Sequence, residues 1–397
     1  MQGPLAGTRV LDFTNVLAGP FACHQLAHLG AEVIKVESIG RGDLARNLGA
    51  DPQLNATGMG VSFLAQNAGK QSVTVNLKDP RGVALAKRLV ATADVVVENF
   101  RPGVMDRLGL GYAALKEEQP HLIYCAISGF GQDGPWVDRP AYDQIIQGVS
   151  GVMSITGDTE SAPMRVGYPV ADTVGGLTAA MAICAALNAP ERGAFLDISM
   201  LESVIATMGW AVSNHLIAGI DPVPAGNENL TSAPSGTFQT AEGLLNIAAN
   251  KDEQWRALAR HLGRDDLLGN PDYANREDRK RNRLALKAEL ETALAQRSAR
   301  DWAAELNAIG VPAGAVMTVP DILAHPQVAD RGMLADFPGV PGVGRDIRVL
   351  RTGIKVDRAA PAVGNPPPLL GQDNAKVWGA LGVGDEELEI LNAEGVI

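Results

Sequence analysis

The stretch VLDFTNVLAGPFACHQLAHLGAEVIKV at residues 10–36 decides the fold. It begins with a short apolar strand at 10–13 and continues with helical spacing of apolar residues at 21–29. Gly30 ends that helix, and a second apolar strand follows at 33–36. This order predicts two parallel strands that are joined by a crossover helix.

The same alternation continues through the first 200 residues. Further helices are predicted at 79–92, 172–187 and 201–215, the first of them because Asp79-Pro80 is a helix start signal. Further strands are predicted at 73–77, 94–97, 122–127 and 195–198. The repeated alternation predicts an α/β fold with a parallel sheet that is covered by helices on both faces.

Composition shifts along the chain predict three segments. Residues 1–224 are expected to form the first part of a large α/β domain. Residues 221–240 are rich in proline and glycine, and a helical, charged region follows at 252–308, so residues 225–330 are predicted to form a small α/β domain. The proline-rich tail is predicted to be an extended excursion that returns to the large domain as residues 331–397.

Charge and composition exclude several classes of protein. The 397 residues carry 34 Lys and Arg against 45 Asp and Glu, and the net charge of −11 argues against nucleic acid or an anionic membrane as a partner. The hydrophobic share of 46% and charged share of 20% exclude disordered, collagen-like and coiled-coil chains. Three cysteines without a C-x-x-C pair indicate reduced thiols, and the first residues do not resemble a signal peptide. We therefore predict a cytoplasmic protein.

Two classes of bound cofactor are also disfavoured. His24 and His28 have helical spacing but no Glu between them, so we interpret them as a pair on a helix surface and predict no metal site. The turn at 15–20 has one glycine, followed by Pro20, whereas a dinucleotide pyrophosphate needs three glycines. A nicotinamide enzyme is therefore not expected.

The most informative stretch is YPVADTVGGL at residues 168–177. Asp172 precedes an apolar helix, where the simplest interpretation is a helix N-cap. Gly175 and Gly176 favour a second interpretation, because they are expected to leave N–H groups of the first turn open to a substrate oxyanion. The helix dipole is expected to keep the carboxylate ionised. This combination would suit a nucleophilic carboxylate.

Several motifs occur in one order along nearly the whole chain. They are G-x-x-V-L-D-F-T-x-x-x-A-G-P at 7–20, V-I-K-V-E-x-x-G-x-G-D at 33–43, V-E-N-F-R-P-G at 97–103, D-R-L-G at 106–109, S-G-F-G-x-x-G-P at 128–135, R-P-A-Y-D at 139–143 and G-V-P-A-G-x-V at 310–316. With these motifs the chain resembles the class III coenzyme A transferases. That group includes formyl-CoA transferases, carnitine CoA-transferases and α-methylacyl-CoA racemases.

The resemblance implies an open, doubly wound large domain, a small domain and an interlocked homodimer. It implies that Asp172 is the catalytic carboxylate and that Tyr142, Gly175 and Gly176 bind the acyl group. The residues implied to hold CoA are Ala18, Val75, Asn76, Leu77, Lys78, Asn99, Phe100 and Arg107. One arginine of the family is absent because Ser38 stands in its place, and Arg41 is a candidate substitute.

Two differences between this chain and particular members of the family narrow the range of expected reactions. Racemases that resemble this chain have a histidine where it has Tyr142, and a neutral tyrosine is a poor base at neutral pH. Members that act on oxalate have a glutamine in place of Leu17, a histidine in place of Asn15 and a glycine-rich loop that is not visible at 224–240. Racemization, formyl-CoA and oxalate are therefore disfavoured.

The sequence thus predicts an enzyme that moves CoA from an acyl-CoA donor, with succinyl-CoA as a candidate, to a free carboxylic acid through an aspartyl-CoA thioester. No tightly bound cofactor is expected, since CoA is itself substrate and product. Arg46 and Arg165 could pair with the second carboxylate of an acceptor such as succinate, glutarate, mesaconate or itaconate, although a structural role is favoured for either. A racemase or epimerase and a non-catalytic CoA-binding protein remain the alternatives.

Overall fold

The computed structural model describes residues 3–361 and 363–397. The chain divides into two compact units. The first contains the described residues up to 152 together with 165–219 and 326–397, and the second contains 153–164 and 220–325. Residues 153–164 are predicted to lie in the large domain, but they belong to the second unit, where the N–H of Gly226 donates to the carbonyl of Gly157 at 2.7 Å. The predicted domain boundaries otherwise stay a prediction.

A six-stranded sheet forms the centre of the first unit. Its strands are β1 (Arg9–Asp12), β2 (Glu32–Glu37), β3 (Lys70–Thr74), β4 (Val95–Glu98), β5 (Ile123–Ser128) and β6 (Ala194–Ser199). They lie in the order β3-β2-β1-β4-β5-β6, and every neighbouring pair is parallel. The chain starts in the middle and winds first to one edge and then to the other, so the predicted open, doubly wound sheet is confirmed.

Among the described residues up to 219 there are ten α-helices and two short 3-10 helices. The α-helices are α1 (Ala18–His28), α2 (Pro52–Ala56), α3 (Val61–Leu64), α4 (Pro80–Val90), α5 (Val104–Arg107), α6 (Tyr112–Glu118), α7 (Asp143–Val149), α8 (Val170–Leu187), α9 (Met200–Thr207) and α10 (Gly209–Ala218). The 3-10 helices are Leu44–Asn47 and Val152–Ile155, and residues 153–155 of the latter belong to the second unit. The predicted helix at 79–92 is α4, which Asp79 caps by accepting a hydrogen bond from the N–H of Arg81.

Side chains of the central strands alternate between two apolar cores. Val10, Val95 and Val97 lie in one core with apolar residues of α1 and α8. Leu11 and Val96 lie in the other, with apolar residues of α4. Because both faces are buried, the strands read as continuous apolar runs in the sequence rather than as an alternating pattern.

The second unit has its own small sheet and core. Its strands are β7 (Ser235–Gln239), β8 (Leu244–Ala248) and β9 (Ala313–Ala315), and both neighbouring pairs are antiparallel. Its helices are α11 (Asp252–His261), α12 (Arg276–Arg281), α13 (Arg283–Leu294), α14 (Ala299–Ala308) and α15 (Val319–Ala324), with 3-10 turns at Asp265–Leu268 and Pro271–Tyr273. Trp255, Leu290 and Trp302 are buried together in the core.

The C-terminal segment returns to the first unit with more regular structure than we predicted. Its elements are α16 (Pro326–Asp330), β10 (Leu334–Phe337), β11 (Ile347–Leu350), α17 (Asn374–Ala380) and α18 (Asp385–Ala393). The side chains of Asp373 and Asn374 accept hydrogen bonds from the N–H groups of Ser72 and Thr74 in the edge strand β3. Trp378 is fully buried. The tail from 335 onward was predicted to be extended, and this prediction is wrong for β10, β11, α17 and α18.

The two histidines of α1 are buried, so the predicted surface position is wrong. The Nε2 atoms of His24 and His28 lie 3.0 Å apart, and Nδ1 of His24 lies 3.3 Å from the carbonyl of Ala68. Burial lowers the pKa of His24 to about 3 and that of His28 to about 4, so both rings are neutral at pH 7. The described residues contain no cluster of three potential metal-binding side chains.

Helix α8 begins two residues before the predicted helix at 172–187. Its 18 residues are long and apolar enough to cross a membrane by length and composition. In the first unit it packs against α1, α9, β5 and β6, and Ala179 and Ile183 are buried in the core. One face of α8 therefore packs into the core of this unit, while Leu177 and Met181 on the helix are exposed.

Candidate active site

The candidate site lies where the order of the strands reverses. The chain leaves β1 for β2 on one side and later enters β4 on the other, and such switch points form crevices at the carboxyl ends of parallel strands. A pocket of about 320 Å³ opens there. Its lining residues are Asn15, Val16, Leu17, Ala18, Leu44, Asn99, Phe100, Ile127, Ser128, Gly129, Ala141, Tyr142, Asp172 and Met200. The structure thus brings Asp172 together with Tyr142, Ala18, Asn99 and Phe100.

Asp172 is the third residue of α8 and not its N-cap, which is Pro169. The first turn is held by Asp143, whose Oδ1 accepts the N–H of Ala171 at 2.8 Å. The side chain of Gln147 donates to the other oxygen of Asp143 at 2.7 Å. Asp143 is the last residue of the motif at 139–143, and no role for it is predicted from the sequence. Its position directly after Tyr142 is the signal that could have found it.

Asp172 has an unusually high pKa. Burial raises it from its ordinary value to about 7, and the negative charge of Asp143 adds to this effect. The expectation that the helix dipole keeps this carboxylate ionised is therefore wrong at slightly acid pH, because desolvation and a neighbouring carboxylate outweigh the dipole. A buried carboxylate that is poised near neutrality is a feature of catalytic sites.

Gly175 and Gly176 are buried in the second turn of α8. Their N–H groups therefore bond to carbonyls four residues earlier in the helix and are not open to a substrate. A Cβ at Gly175 would lie 2.9 Å from Cγ of Met200, and one at Gly176 would lie 2.5 Å from the carbonyl oxygen of Ala18. The predicted role as substrate-binding donors is corrected: these glycines let α1 and α9 approach α8 closely.

Gly176→Ala is expected to destabilise the first unit and to displace Ala18, because the clash is with a backbone atom that cannot rotate away. Overpacking of this kind costs about 1–3 kcal/mol. The matched control is Gly209→Ala, since a Cβ at this position of α10 meets no atom within 4 Å. Urea unfolding of both variants tests the assignment, and equal midpoints would contradict it.

The loop after β1 is fastened to the loop after β4. Oδ1 of Asn99 accepts the N–H of Asn15 at 2.8 Å, and Nδ2 of Asn99 donates to the carbonyl of Asn15 at 2.8 Å. Val16 follows with a φ of +68°, and the buried Ala18 is the first residue of α1. Asn99 therefore shapes the pocket by joining two strand ends.

The turn that contains Phe100 is stabilised by a hydrogen bond to the buried side chain of Glu98. Oε2 of Glu98 accepts the N–H of Phe100 at 2.7 Å. Burial raises the pKa of Glu98 to about 8, the bond from Phe100 lowers it, and the charge of Asp106 raises it further. Glu98 is therefore largely protonated at pH 7 and does not bring a full negative charge to the pocket.

The other predicted CoA residues do not line this pocket. Val75, Asn76, Leu77 and Lys78 follow β3, two strands away from β1 in the sheet, which is about 10 Å at the usual strand spacing. The side chain of Asn76 donates to the carbonyl of Gly395, and Lys78 is exposed. Arg107 ends α5 and is also exposed.

The candidate arginines have different environments. Arg46 is 2% exposed, binds both carboxylate oxygens of Glu37 at 2.7 Å and stacks 3.7 Å from the ring centre of Phe63. It is a structural residue, and pairing of Arg46 with a substrate is excluded. Arg165 is half-exposed, with one guanidinium nitrogen 3.8 Å from Oδ2 of Asp143.

Comparison with known proteins agrees with the resemblance inferred from the motifs. The model of CoA-transferase family III matches residues 5–374. The chain is 37% identical to a succinate–glutarate CoA-transferase of Agrobacterium fabrum over 95% of this chain and 96% of that protein. It is 39% identical to an acetyl-CoA:oxalate CoA-transferase of Acetobacter aceti over 88% of this chain and 90% of that protein.

Solved structures of similar proteins support the same family assignment. A CAIB/BAIF family protein from Brucella suis superposes with a TM-score of 0.83 at 35% identity, covering 96% of this chain and 100% of that one. The predicted fold class is confirmed on this comparison and on the strand order described above. Sequence, fold and family model together show that the chain belongs to CoA-transferase family III.

Proposed function

We propose that this CoA-transferase moves CoA from succinyl-CoA to a free dicarboxylic acid with Asp172 as the nucleophile. The observation that carries the proposal is the position of Asp172 in the switch-point pocket with a pKa of about 7. The name of the Agrobacterium fabrum relative, which pairs succinate with glutarate, supports the choice of substrates.

In the first half-reaction, the carboxylate of Asp172 attacks the thioester carbonyl of succinyl-CoA. The carbon–sulfur bond breaks, which gives an aspartyl–succinyl anhydride and the CoA thiolate. The thiolate then attacks the aspartyl carbonyl, succinate leaves, and Asp172 is left as a CoA thioester. The second half-reaction runs the same steps in reverse with the acceptor acid, so Asp172 is regenerated and the new acyl-CoA is released.

Two features of the pocket would assist these steps. Tyr142 is 68% exposed at the start of α7, where its hydroxyl can orient an acyl oxygen. The first N–H groups of α1, at Ala18 and Gly19, have no acceptor within the helix, and its N-cap residue Leu17 supplies no side-chain bond. These donors replace Gly175 and Gly176 as the proposed oxyanion site.

The remaining predicted residues are proposed to hold the rest of CoA. Ala18, Asn99 and Phe100 line the pocket and are proposed to contact the pantetheine end. The stretch 75–78 and Arg107 are proposed to contact the nucleotide end, which the long pantetheine arm separates from the thioester. Arg41 remains a candidate for the missing family arginine. We propose no tightly bound cofactor, since the covalent intermediates retain the energy of the thioester.

Activity is expected to fall as the pH decreases through about 7, because protonated Asp172 is not a nucleophile. In the acid limb, kcat/KM should drop about tenfold per pH unit. Asp143→Asn removes a negative charge but can still accept the N–H of Ala171, so it should lower the pKa of Asp172 and shift the limb to lower pH. Asp143→Asn should lower the pKa of Asp172 only in part, because burial raises this pKa more than the charge of Asp143 does.

Asp385→Asn is the control for this pH profile, since Asp385 is exposed in the first turn of α18. Its profile should match that of the wild type. An unchanged inflection in Asp143→Asn, or a shift to higher pH, would show that Asp143 does not set the pKa of Asp172.

A panel of acceptor acids tests the proposed function. With succinyl-CoA as donor, chromatography of the products is expected to show CoA transfer to glutarate and mesaconate, and little transfer to the matched monocarboxylate pentanoate. Oxalate is included because one relative is named for it. Equal transfer to pentanoate would contradict the dicarboxylate class, and absence of any transfer would contradict the function.

We also propose a homodimer in the cytoplasm. Helix α10 has no buried residue, and Trp210, Leu216 and Ile217 are between 73% and 86% exposed in the single chain. Apolar groups exposed together in this way mark an interaction surface. Sedimentation at micromolar concentration is expected to give twice the mass of the 41.6 kDa chain, and a monomer would contradict this proposal.

A further inference from the structure

Val16 lines the pocket in a strained conformation. Its φ of +68° lies in the left-handed region, which a β-branched residue rarely adopts. Strain of this kind persists only where the surroundings impose it, and it concentrates at functional sites. The preceding residue, Asn15, is fixed by Asn99, and the following residue, Leu17, is the N-cap of α1.

One carboxylate binds the strained residue directly. Oδ1 of Asp43 accepts the N–H of Val16 at 2.9 Å and also the N–H of Ala45 at 2.9 Å. Asp43 is only 1% exposed, and its own N–H donates to Oε2 of Glu37 at 2.9 Å. The acceptor of the Val16 N–H is therefore rigidly placed.

The buried side chain of Lys35 contacts both Asp43 and the loop that precedes Val16. Nζ of Lys35 lies 2.9 Å from Oδ2 of Asp43 and donates to the carbonyl of Thr14 at 2.8 Å. The side chain of Asp43 thus shares a cation with the backbone two residues before Val16. The side chains of Lys35 and Asp43 are both inaccessible to solvent, so water does not screen this pair.

A second buried pair continues the arrangement. Nζ of Lys70 lies 2.8 Å from Oδ2 of Asp12 and donates to the carbonyl of Pro20 in α1 at 2.9 Å. Oδ1 of Asp12 accepts the N–H of Thr14 at 3.0 Å. The charges of Lys35 and Lys70 are therefore balanced by those of Asp12 and Asp43 next to the loop that follows β1. Nothing in the proposed chemistry uses them.

We propose that Asp43 is a positioning residue: its carboxylate, fixed by Lys35, holds Val16 in the left-handed conformation and so places the wall formed by residues 16–18 in the pocket of Asp172. This inference rests on the proposed function in one respect only, namely that the wall serves the reaction of Asp172. The hold on Val16 itself is a property of the fold.

A set of double variants tests the proposal. Asp43→Asn keeps the size of the side chain but loses the charge that binds Lys35. It is made in the wild type, with Val16→Ala and with Val16→Gly. Both changes at Val16 remove the branched side chain, but only glycine adopts a positive φ without strain. The free energy of unfolding, kcat, and KM for succinyl-CoA are measured for all six proteins.

Asp43→Asn is expected to lower kcat by about tenfold or more in the wild type and with Val16→Ala, since small displacements of groups around a reacting centre have effects of this order. KM should change less than kcat. With Val16→Gly the penalty should fall below about threefold, and the loss of unfolding free energy should also be smaller. If Asp43→Asn does not fold, Lys35→Gln with Asp43→Asn removes both charges together and takes its place.

An equal penalty of Asp43→Asn in all three backgrounds would overturn the proposal. Coupling in unfolding free energy with an unchanged kcat would overturn the positioning role. If the wild type transfers no CoA, the proposed function fails, and the coupling in unfolding free energy still decides whether Asp43 holds Val16.

Discussion

The substitution Asp172→Ala is expected to abolish CoA transfer, lowering kcat by about 10⁴-fold or more, as loss of a covalent nucleophile does in other enzymes. The reason is that, among the residues that the structure describes, no other carboxylate side chain lines the pocket of Asp172. Initial rates with succinyl-CoA and glutarate measure the effect. The variant is expected to fold, because the change removes a half-buried acid whose pKa shows that ionisation is unfavourable there.

Asp172→Asn is the matched isosteric variant, and it should be as inactive as Asp172→Ala while still binding succinyl-CoA. Asp143→Asn serves as the positive control, since it keeps the nucleophile and should retain transfer above pH 7. Transfer by Asp172→Asn at more than about a hundredth of the wild-type rate would be incompatible with Asp172 as the nucleophile.

Arg46→Met is expected to cause the largest loss of stability. It leaves the carboxylate of Glu37 buried without its cation, and breaking a buried pair in this way costs about 3–5 kcal/mol. Guanidinium chloride unfolding measures the loss. The double variant Arg46→Met with Glu37→Gln removes both charges and should recover a large part of it.

Arg165→Met is the contrasting variant. Its guanidinium is half-exposed and 3.8 Å from Asp143, and such pairs contribute about 0–1 kcal/mol. If Arg165 binds the second carboxylate of the acceptor, transfer to glutarate should fall in this variant while transfer to pentanoate does not. A loss of stability equal to that of Arg46→Met would contradict the assignment of Arg46 as a structural residue and of Arg165 as a weakly paired, half-exposed one.

The strands of the first unit were predictable because their apolar runs are short, buried on both faces and separated by clear helix signals. Strand β5 occupies 123–128 against the predicted 122–127, and β6 occupies 194–199 against 195–198. Strand β3 was placed three residues too late, since its apolar pattern continues past Thr74 into Val75, which is buried although it lies outside the strand.

The motif around Asp172 suggested this residue as the candidate nucleophile, but it did not reveal the environment of the side chain. Its pKa depends on Asp143, 29 positions earlier in the chain, and no local pattern reports that contact. Gly175 and Gly176 were assigned to substrate because a glycine in a helix has two explanations, exposure of the backbone or close packing. The sequence does not show that Ala18 and Met200 approach them.

Contacts between distant segments explain the remaining errors. The structural role favoured for Arg46 agrees with the structure, but the sequence did not reveal its partners, Glu37 and the carbonyl of Pro368. The tail reads as extended because the partners of Asp373 and Asn374 lie about 300 residues earlier, in β3. Such pairings are set by the topology of the whole unit, so periodicity along the chain does not reveal them.

The most direct test is the intact mass of the wild-type protein after incubation with succinyl-CoA alone, followed by peptide mapping. The account predicts an increase equal to CoA less one water, located on the peptide that contains Asp172 and removed when glutarate is added. An unmodified protein that still transfers CoA, or an adduct on another peptide, would contradict it. An unmodified protein that exchanges the α-proton of an α-methylacyl-CoA with solvent deuterium would indicate a racemase instead.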